Sequence, residues 1–464
     1  MKLKQKIPIL ILLLGLLCLT INLTRIQPTA RVEALPNAAL QSSGLERGSG
    51  GGVRSVKSAS PFAPSEASTL QGVAFHTGAY PPSGTCGRCH VSIHSNWESS
   101  LHRLAASDPW YLKVKDLVAF EEGEVAVRQC AGCHAPVALM TGEVGLYSRE
   151  SVGSLEGVSC VFCHTLDRVE GGNARYLSDP GRIRPYPGGD YLSVQEIEAA
   201  AHLVMADPQQ HREDMMRPFY RTSAFCQGCH ELTMNGVRLQ STFSEWAQSS
   251  YAEQGVTCQG CHFTPGAGET RERGRLVDHR PVERDRVYRH TLGGGSLTVA
   301  ARDNRTELKE AVALEAAWQG ERLRVTVRNV KGGHAIPTGV SDLRELWLEI
   351  TAMDANGREV FTSGHLDAAG RIREGSTIFH TVFGDEHGNK IVRHDIWRAR
   401  QILKDTRIPA DGQRQVSYRL PGSAKDVKVR LLWRDAPADF QQIVVQGATQ
   451  PAEVFSLAEW RQQR

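Results

Sequence analysis

From about residue 300 onwards the apolar positions recur at every second residue. Leu323, Val325 and Val327 alternate with Arg322, Arg324, Thr326 and Arg328, and the same rhythm returns in Leu346, Leu348 and Ile350, in Val416, Tyr418 and Leu420, and in Val427, Val429 and Leu431. This is the period of strands with one buried face. Asn356-Gly357 and Asp411-Gly412 supply turn chemistry between the runs. The pattern predicts an antiparallel β-sandwich over residues 300–450. Residues 71–295 have no such continuity. Ile93, Trp97, Leu101 and Leu104 recur at helical spacing. Ser193 with Glu196 forms a capping box before a helix that stops short of Pro208, and Thr242 with Glu245 does the same before a helix ended by Gly255. The rest of this region reads as loops. The expected fold class is multidomain: a loop- and helix-rich first domain followed by a C-terminal antiparallel β-sandwich.

Ahead of both lies a third kind of patterning. Lys2, Lys4 and Lys6 precede the run Ile7 to Leu23, apolar except for Pro8, Gly15, Thr20 and Asn22. Residues 1–26 therefore read as a signal peptide or signal anchor. The run falls just short of the usual spanning length, but cleavage patterns occur only well downstream of it, around Ala30 or Val32 to Ala34, which favours an uncleaved membrane anchor. The lysines then stay in the cytoplasm and the remainder lies outside. Cys18, within the run, lacks the small residues that precede a lipidated cysteine and reads as an inert apolar residue. Residues 27–70, with the glycine- and serine-rich stretch Gly44 to Ser60, form a flexible linker that cannot bury enough surface to offset its chain entropy. The net charge of +3 gives no footprint for nucleic acid and identifies no protein partner.

The cysteines change the picture of residues 71–295. Ten of the eleven stand in five copies of C-x-x-C-H: Cys86, Cys89 and His90; Cys130, Cys133 and His134; Cys160, Cys163 and His164; Cys226, Cys229 and His230; Cys258, Cys261 and His262. Two thiols three positions apart can each form a thioether to one porphyrin, with the adjacent histidine as the proximal iron ligand. A zinc ribbon does not require histidine after every second cysteine, and a disulfide framework does not explain five identical spacings. The cofactor expected is haem c, five covalently attached groups, in a pentahaem domain spanning 71–295. From Cys86 to His262 there are 177 residues, roughly 35 per haem, far too few for a separate fold around each. The porphyrins must form much of the core. A repeat is also visible: Cys130-Ala-Gly-Cys-His is followed 30 residues later by Gly157-Val-Ser-Cys, and Cys226-Gln-Gly-Cys-His 32 residues later by Gly255-Val-Thr-Cys, giving two dihaem units after a leading single motif.

Seventeen histidines less the five proximal ones leave twelve for the sixth iron position. On a continuous helix His102 would lie about 18 Å along the axis from His90, so it can serve only a different haem. His94, one turn from His90 on nearly the same face, reads as a helix-surface residue. The expected distal ligands are His102, His211, His279 and His334, the last in the glycine-rich loop Lys331-Gly-Gly-His-Ala-Ile-Pro-Thr-Gly, where small residues permit close approach. His76, His202 and His290 are further candidates, and Met215 or Met234 are less economical ones. His365, His380, His387 and His394 read as ordinary loop or sheet residues.

Asn96-Trp97-Glu-Ser-Ser-Leu-His102, Phe225-Cys-Gln-Gly-Cys-His-Glu231 and Glu245-Trp-Ala-Gln-Ser-Ser-Tyr251 with Gly255-Val-Thr-Cys resemble the multihaem cytochrome c family that includes the tetrahaem electron acceptor of hydroxylamine oxidoreductase. The resemblance covers about 80 to 290, and Gly333-His-Ala-Ile-Pro-Thr-Gly resembles a β-domain appended to some multihaem cytochromes. It implies distal ligation by His102 and His211 and haems in close stacked and perpendicular pairs; the departure is the count, five motifs here against four haems in that relative. The function expected is electron relay on the periplasmic or extracellular side of the cytoplasmic membrane, between redox partner proteins that the sequence does not identify. The alternatives are a multihaem oxidoreductase with one open haem acting on a small nitrogen or sulfur compound, or a subunit of an extracellular cytochrome filament. Pentahaem nitrite reductases typically carry lysine in place of one motif histidine, and all five motifs here end in histidine.

Overall fold

The structure is a computed structural model that describes residues 60–145, 155–182, 208–271, 281–292, 304–444 and 453–463. The expected signal segment, most of the linker, the helix begun at Ser193, His202 and His279 lie outside the described residues.

The alternating runs after residue 300 form two antiparallel sheets. Arg322–Asn329 sits between Val312–Gln319 and Gln413–Arg419. The second sheet runs Glu359–Ser363, Glu345–Met353, Asp426–Arg434, Phe455–Gln463, with Ile378–Phe379 also paired to Glu345–Met353. Leu323, Val325 and Val327 from the first sheet meet Leu346, Leu348, Ile350, Val427, Val429 and Leu431 from the second in one core. Removing each such side chain from water contributes about 1.5–3 kcal/mol, which holds the two faces together.

One detail differs from expectation, and one refines it. The second sheet continues beyond residue 450 through Phe455–Gln463, in which Phe455 and Leu457 are buried in the core, Ala458 and Trp460 pack partly buried against it, and the remainder turns polar. Asp411-Gly412 does not close a hairpin: Gln401–Asp405 pairs with Thr381–Gly384, whereas Gln413–Arg419 belongs to the three-stranded sheet. The turn carries the chain from one sheet to another. Asn356-Gly357 does connect paired neighbours, Glu345–Met353 and Glu359–Ser363, with Gly357 at φ +72°.

The first region is built from short helices, and each motif lies at least partly in one: Ser83–Gly87, Val127–His134, Cys160–Thr165, Ala224–His230 and Cys258–His262. The longest helix here, Pro109–Glu122, fell in the stretch read as loop. Its start was nevertheless written in the chain. Pro109 occupies the first turn, and Asp108 Oδ1 accepts from the amides of Trp110 and Tyr111 at 2.8 and 2.9 Å.

The helix expected after the first motif is two helices, Val91–Glu98 and Leu101–Leu104. Ser99 and Ser100 interrupt it because their hydroxyls bond nearby backbone; Ser100 Oγ caps the second helix by accepting from the Arg103 amide at 3.3 Å. At Thr242 the cap is Ser241, one residue earlier, and it makes no capping bond; its hydroxyl donates to Glu245 Oε1 at 2.6 Å. Two short helices, Thr242–Ala247 and Ser250–Glu253, then lead to Gly255 at φ +73°. Residues 60–70, assigned above to the linker, are packed. Phe62 and Ala67 are buried in the core of the first region, and Ser68–Thr69 pairs in parallel with Tyr176–Ser178. The serine- and glycine-rich composition ends at Ser60, and Pro61-Phe62-Ala63-Pro64 is apolar enough to bury.

Residues Ser58–Arg464 form one compact unit. Trp110, Val114 and Leu117 of the long helix pack on Leu343, Ala436 and Phe440, and Val237 and Leu239 pack on Phe383 and Ala399. Among the described residues no helix is long and apolar enough to cross a membrane.

Candidate functional site

The five motifs open onto one cavity of about 2400 Å³. A single small-molecule site occupies roughly 300–1,000 Å³, so this space suits several cofactors side by side. The motifs also approach one another. Cys86 lies within hydrogen-bond reach of Cys160, Cys133 of Cys229, and Cys226 of Cys258. Motif one therefore neighbours three, two neighbours four, and four neighbours five. The second repeat unit stays paired in space, while the members of the first each face another motif. None of the ten described cysteines forms a disulfide. Among the described residues no group of three or more His, Cys, Asp and Glu side chains is placed to hold a lone metal ion.

Several histidine rings are fixed through Nδ1. His134 Nδ1 meets the Ala105 carbonyl at 3.2 Å, His164 Nδ1 the Met215 carbonyl at 2.7 Å, His290 Nδ1 the Tyr288 carbonyl at 2.8 Å, and His334 Nδ1 the Ala335 carbonyl at 3.1 Å. A neutral ring that donates from Nδ1 leaves Nε2 as a free acceptor, the tautomer a metal ligand requires.

Three motif histidines face a second histidine across the cavity. Ring centroids are 6.3 Å apart for His90 and His211, 6.0 Å for His102 and His230, and 6.4 Å for His262 and His334. Two imidazoles bound to opposite sides of one metal at roughly 2.0–2.1 Å, with about 1.1 Å more from each nitrogen to its ring centre, have centroids about 6 Å apart. Each pair thus has the spacing needed to hold one iron between two rings. His102 stands opposite His230 and not His90, although the helix that motivated this expectation is broken. His102 Nδ1 is buried without a hydrogen-bond partner, so no protein hydrogen bond offsets the burial of this nitrogen.

Burial holds these rings in the neutral, metal-binding form. Desolvation first, then neighbouring histidines, lowers His90 to about 4, His102 to about 3 and His262 to about 4. His290 is likewise lowered to about 4, by burial against the opposing Tyr288 carbonyl, with His164 and His90 close enough to depress it further. His290 lines the same cavity as His164, with its ring edge-on to Phe263 at 4.8 Å.

Other histidines have other surroundings. His94 packs on Trp97 at 5.5 Å, His76 is exposed, and His365 Nε2 meets Thr351 Oγ1 at 3.0 Å. Met215 and Met234 line the cavity but stand opposite no motif histidine in the pairs above. His394, read as an ordinary residue, lines the cavity and bonds Asp342 through Nδ1 at 2.7 Å. No spacing in Val392-Arg-His-Asp395 marks it; only the fold brings it here.

The donor set therefore fits haem c: paired thiols beside each proximal ring, neutral imidazoles facing each other at iron-spanning distance, and a shared apolar cavity. Residues 85–165, which hold the first three motifs, match the family described as cytochrome c554 and c-prime. Among solved structures, a penta-haem cytochrome c552 from Thermochromatium tepidum is similar at 22% identity with a TM-score of 0.60, over 83% of this chain and 99% of that chain. That likeness is one of fold: a helix-rich N-terminal region and C-terminal antiparallel sheets. No curated protein matches the sequence.

Proposed function

We propose that this chain, a multihaem c-type cytochrome and hence an extracytoplasmic electron carrier, holds five haems in its single cavity and relays electrons between redox partner proteins. Each bound haem supplies a one-electron iron couple; the protein sets spacing, burial and ligation. The observation that carries this reading is the set of three histidine pairs at 6.0–6.4 Å. A ring on each side leaves no iron position for a substrate. His90 pairs with His211, His230 with His102 and His262 with His334, while His290 is the distal partner we assign to His164.

The contacts among motifs support a connected path: one to three through Cys86 and Cys160, two to four through Cys133 and Cys229, four to five through Cys226 and Cys258. Cys163 is also close enough to Cys226 to raise its thiol, which brings motif three beside motif four. In the haem-loaded protein these sulfurs are thioethers, so their closeness marks neighbouring porphyrin edges. The lysine-flanked apolar run Ile7 to Leu23 supports anchorage to the cytoplasmic membrane, with residues 27–59 as a tether.

Intact mass under denaturing conditions should give the polypeptide plus five haems, and electron paramagnetic resonance of the oxidised protein should give low-spin, bis-histidine signals. Four haems or fewer in a fully matured sample would overturn the count. A native high-spin haem that readily binds carbon monoxide or nitrite would replace the pure relay with the open-haem oxidoreductase.

A further inference from the structure

Four motif histidines have partners in the arrangement above, and His134 has none among the residues expected to ligate. Its ring is nonetheless fixed. Nδ1 is engaged by the Ala105 carbonyl, and Tyr111 stacks flat on it, with centroids 4.3 Å apart and planes 6° from parallel. Only Nε2 remains directed away from these contacts, in the same cavity that His394 lines.

We infer that His394, held by the Asp342 carboxylate, is the distal ligand of the haem bound at Cys130, Cys133 and His134, so that the C-terminal β-region completes this site. The inference rests on the reading that the motifs carry haem between paired histidines.

His394 and Asp342 are both nearly buried, with side chains 11% and 10% exposed, and their bond of 2.7 Å occupies Nδ1. Nε2 is then the free nitrogen of a ring oriented by a carboxylate, an arrangement that recurs behind metal-ligating histidines. The loop bearing it is clamped to the motif. Arg393 and Arg398 each donate to Glu121, at 2.9 and 2.8 Å, near the end of Pro109–Glu122, the helix whose Tyr111 stacks on His134. Trp397 packs in the cluster that contains Val118, Val127 and Cys130. The segment is thus tied both to the helix that positions the proximal ring and to the motif's first cysteine. His394 also has φ +59°, a left-handed conformation that a side chain other than glycine adopts at a cost and that persists where surrounding contacts over-determine it.

The competing explanation is a structural His–Asp pair that orders the loop and leaves the second haem to another ligand or to none. The positive φ selects the test variant, because His394→Gly removes the ring while relaxing the backbone. In the full, haem-loaded protein, His394→Gly should retain all five haems by intact mass and convert one haem equivalent from low to high spin. It should bind one equivalent of carbon monoxide, and added imidazole should restore the low-spin signal. Asp342→Asn, which keeps the ring but weakens its carboxylate support, should remain low-spin and raise the reduction potential of one haem only. A His394→Gly protein with five haems and an unchanged low-spin spectrum overturns the inference. So does an unmutated protein with one high-spin, carbon monoxide-binding haem that the substitution does not alter. Two or more high-spin haems in the unmutated protein would instead defeat the bis-histidine reading itself. If His394→Gly lost haems, the Asp342→Asn titration would decide: an unmoved potential at every haem rejects ligation by His394.

Discussion

The β-region closes on its own side chains, and the motif region closes on space. In the first, Leu323, Val325 and Val327 meet Leu346, Leu348 and Ile350 across two sheets, and the core is continuous. In the second, helices of four to fourteen residues surround a cavity of about 2400 Å³. Helices shorter than about 12–15 residues are marginal in water without tertiary contacts. The five motif helices have five to eight residues. The comparison teaches that the β-region rests on one continuous apolar core, whereas the motif region has a core of its own, with Phe62, Val161, Phe162 and Tyr176, beside a large cavity that its cofactors would fill.

The largest expected effect breaks the two regions apart. Chain produced without haem attachment should fold only in part, with amide hydrogen exchange protection confined to 304–464 and the five motif helices exchanging as unfolded chain. Protection of Val127–His134 and Ala224–His230 in haem-free protein would show that the motif region has a sufficient core of its own and would end the comparison.

A second test works from the other side. Leu348 is fully buried between the sheets, and Leu348→Ala should destabilise the β-region by about 2–5 kcal/mol. Haem content and the low-spin spectra of haems one, three and four should be unchanged, because His90, His211, His164, His290, His230 and His102 all lie before residue 300. A loss of haem in proportion to the loss of stability would mean that the two regions fold as one cooperative unit.

The same contrast governs what could be read from the sequence. Strands that bury one face carry their period openly, so Arg322–Asn329, Glu345–Met353, Gln413–Arg419 and Asp426–Arg434 were legible. Phe455–Gln463 was not, since Ala458 breaks the alternation of Phe455 and Leu457 and the strand ends in the polar run Arg461-Gln-Gln463. In the motif region the chemistry was legible and the backbone was not. C-x-x-C-H names its ligands outright, but helices whose apolar face meets a porphyrin need no continuous stripe. Even so, Asp108-Pro109 followed by Val114, Leu117 and Val118 was a readable start and face for Pro109–Glu122. Among the proposed distal residues, His102 and His211 stand in or beside motif-rich sequence. His334 was marked by its glycines; Gly333 lies against Trp246 and Tyr251, where the loop closes on the fifth motif's segment. His394 carries no such mark, because its position is set by Glu121, 273 residues earlier, through Arg393.

The smallest effect sharpens the boundary between the regions. Asp411 belongs to the β-region, yet its carboxylate accepts from the Ser250 amide at 2.6 Å and the Ser250 hydroxyl at 2.8 Å, at the start of Ser250–Glu253. It caps a helix of the other region from across the interface. Its own φ is +53°, so Asp411→Gly removes the carboxylate without opposing the backbone. Losing a cap of this kind costs about 1 kcal/mol. In the full protein, thermal unfolding should register that cost. In the isolated segment 304–464 the Ser250 partner is absent, the relief at positive φ and the added freedom of the unfolded chain oppose each other, and the change should stay within about 0.5 kcal/mol. Equal losses in both settings would place the contribution of Asp411 inside the β-region; a loss only in the full protein assigns it to the contact that seats the β-region beside the fifth motif.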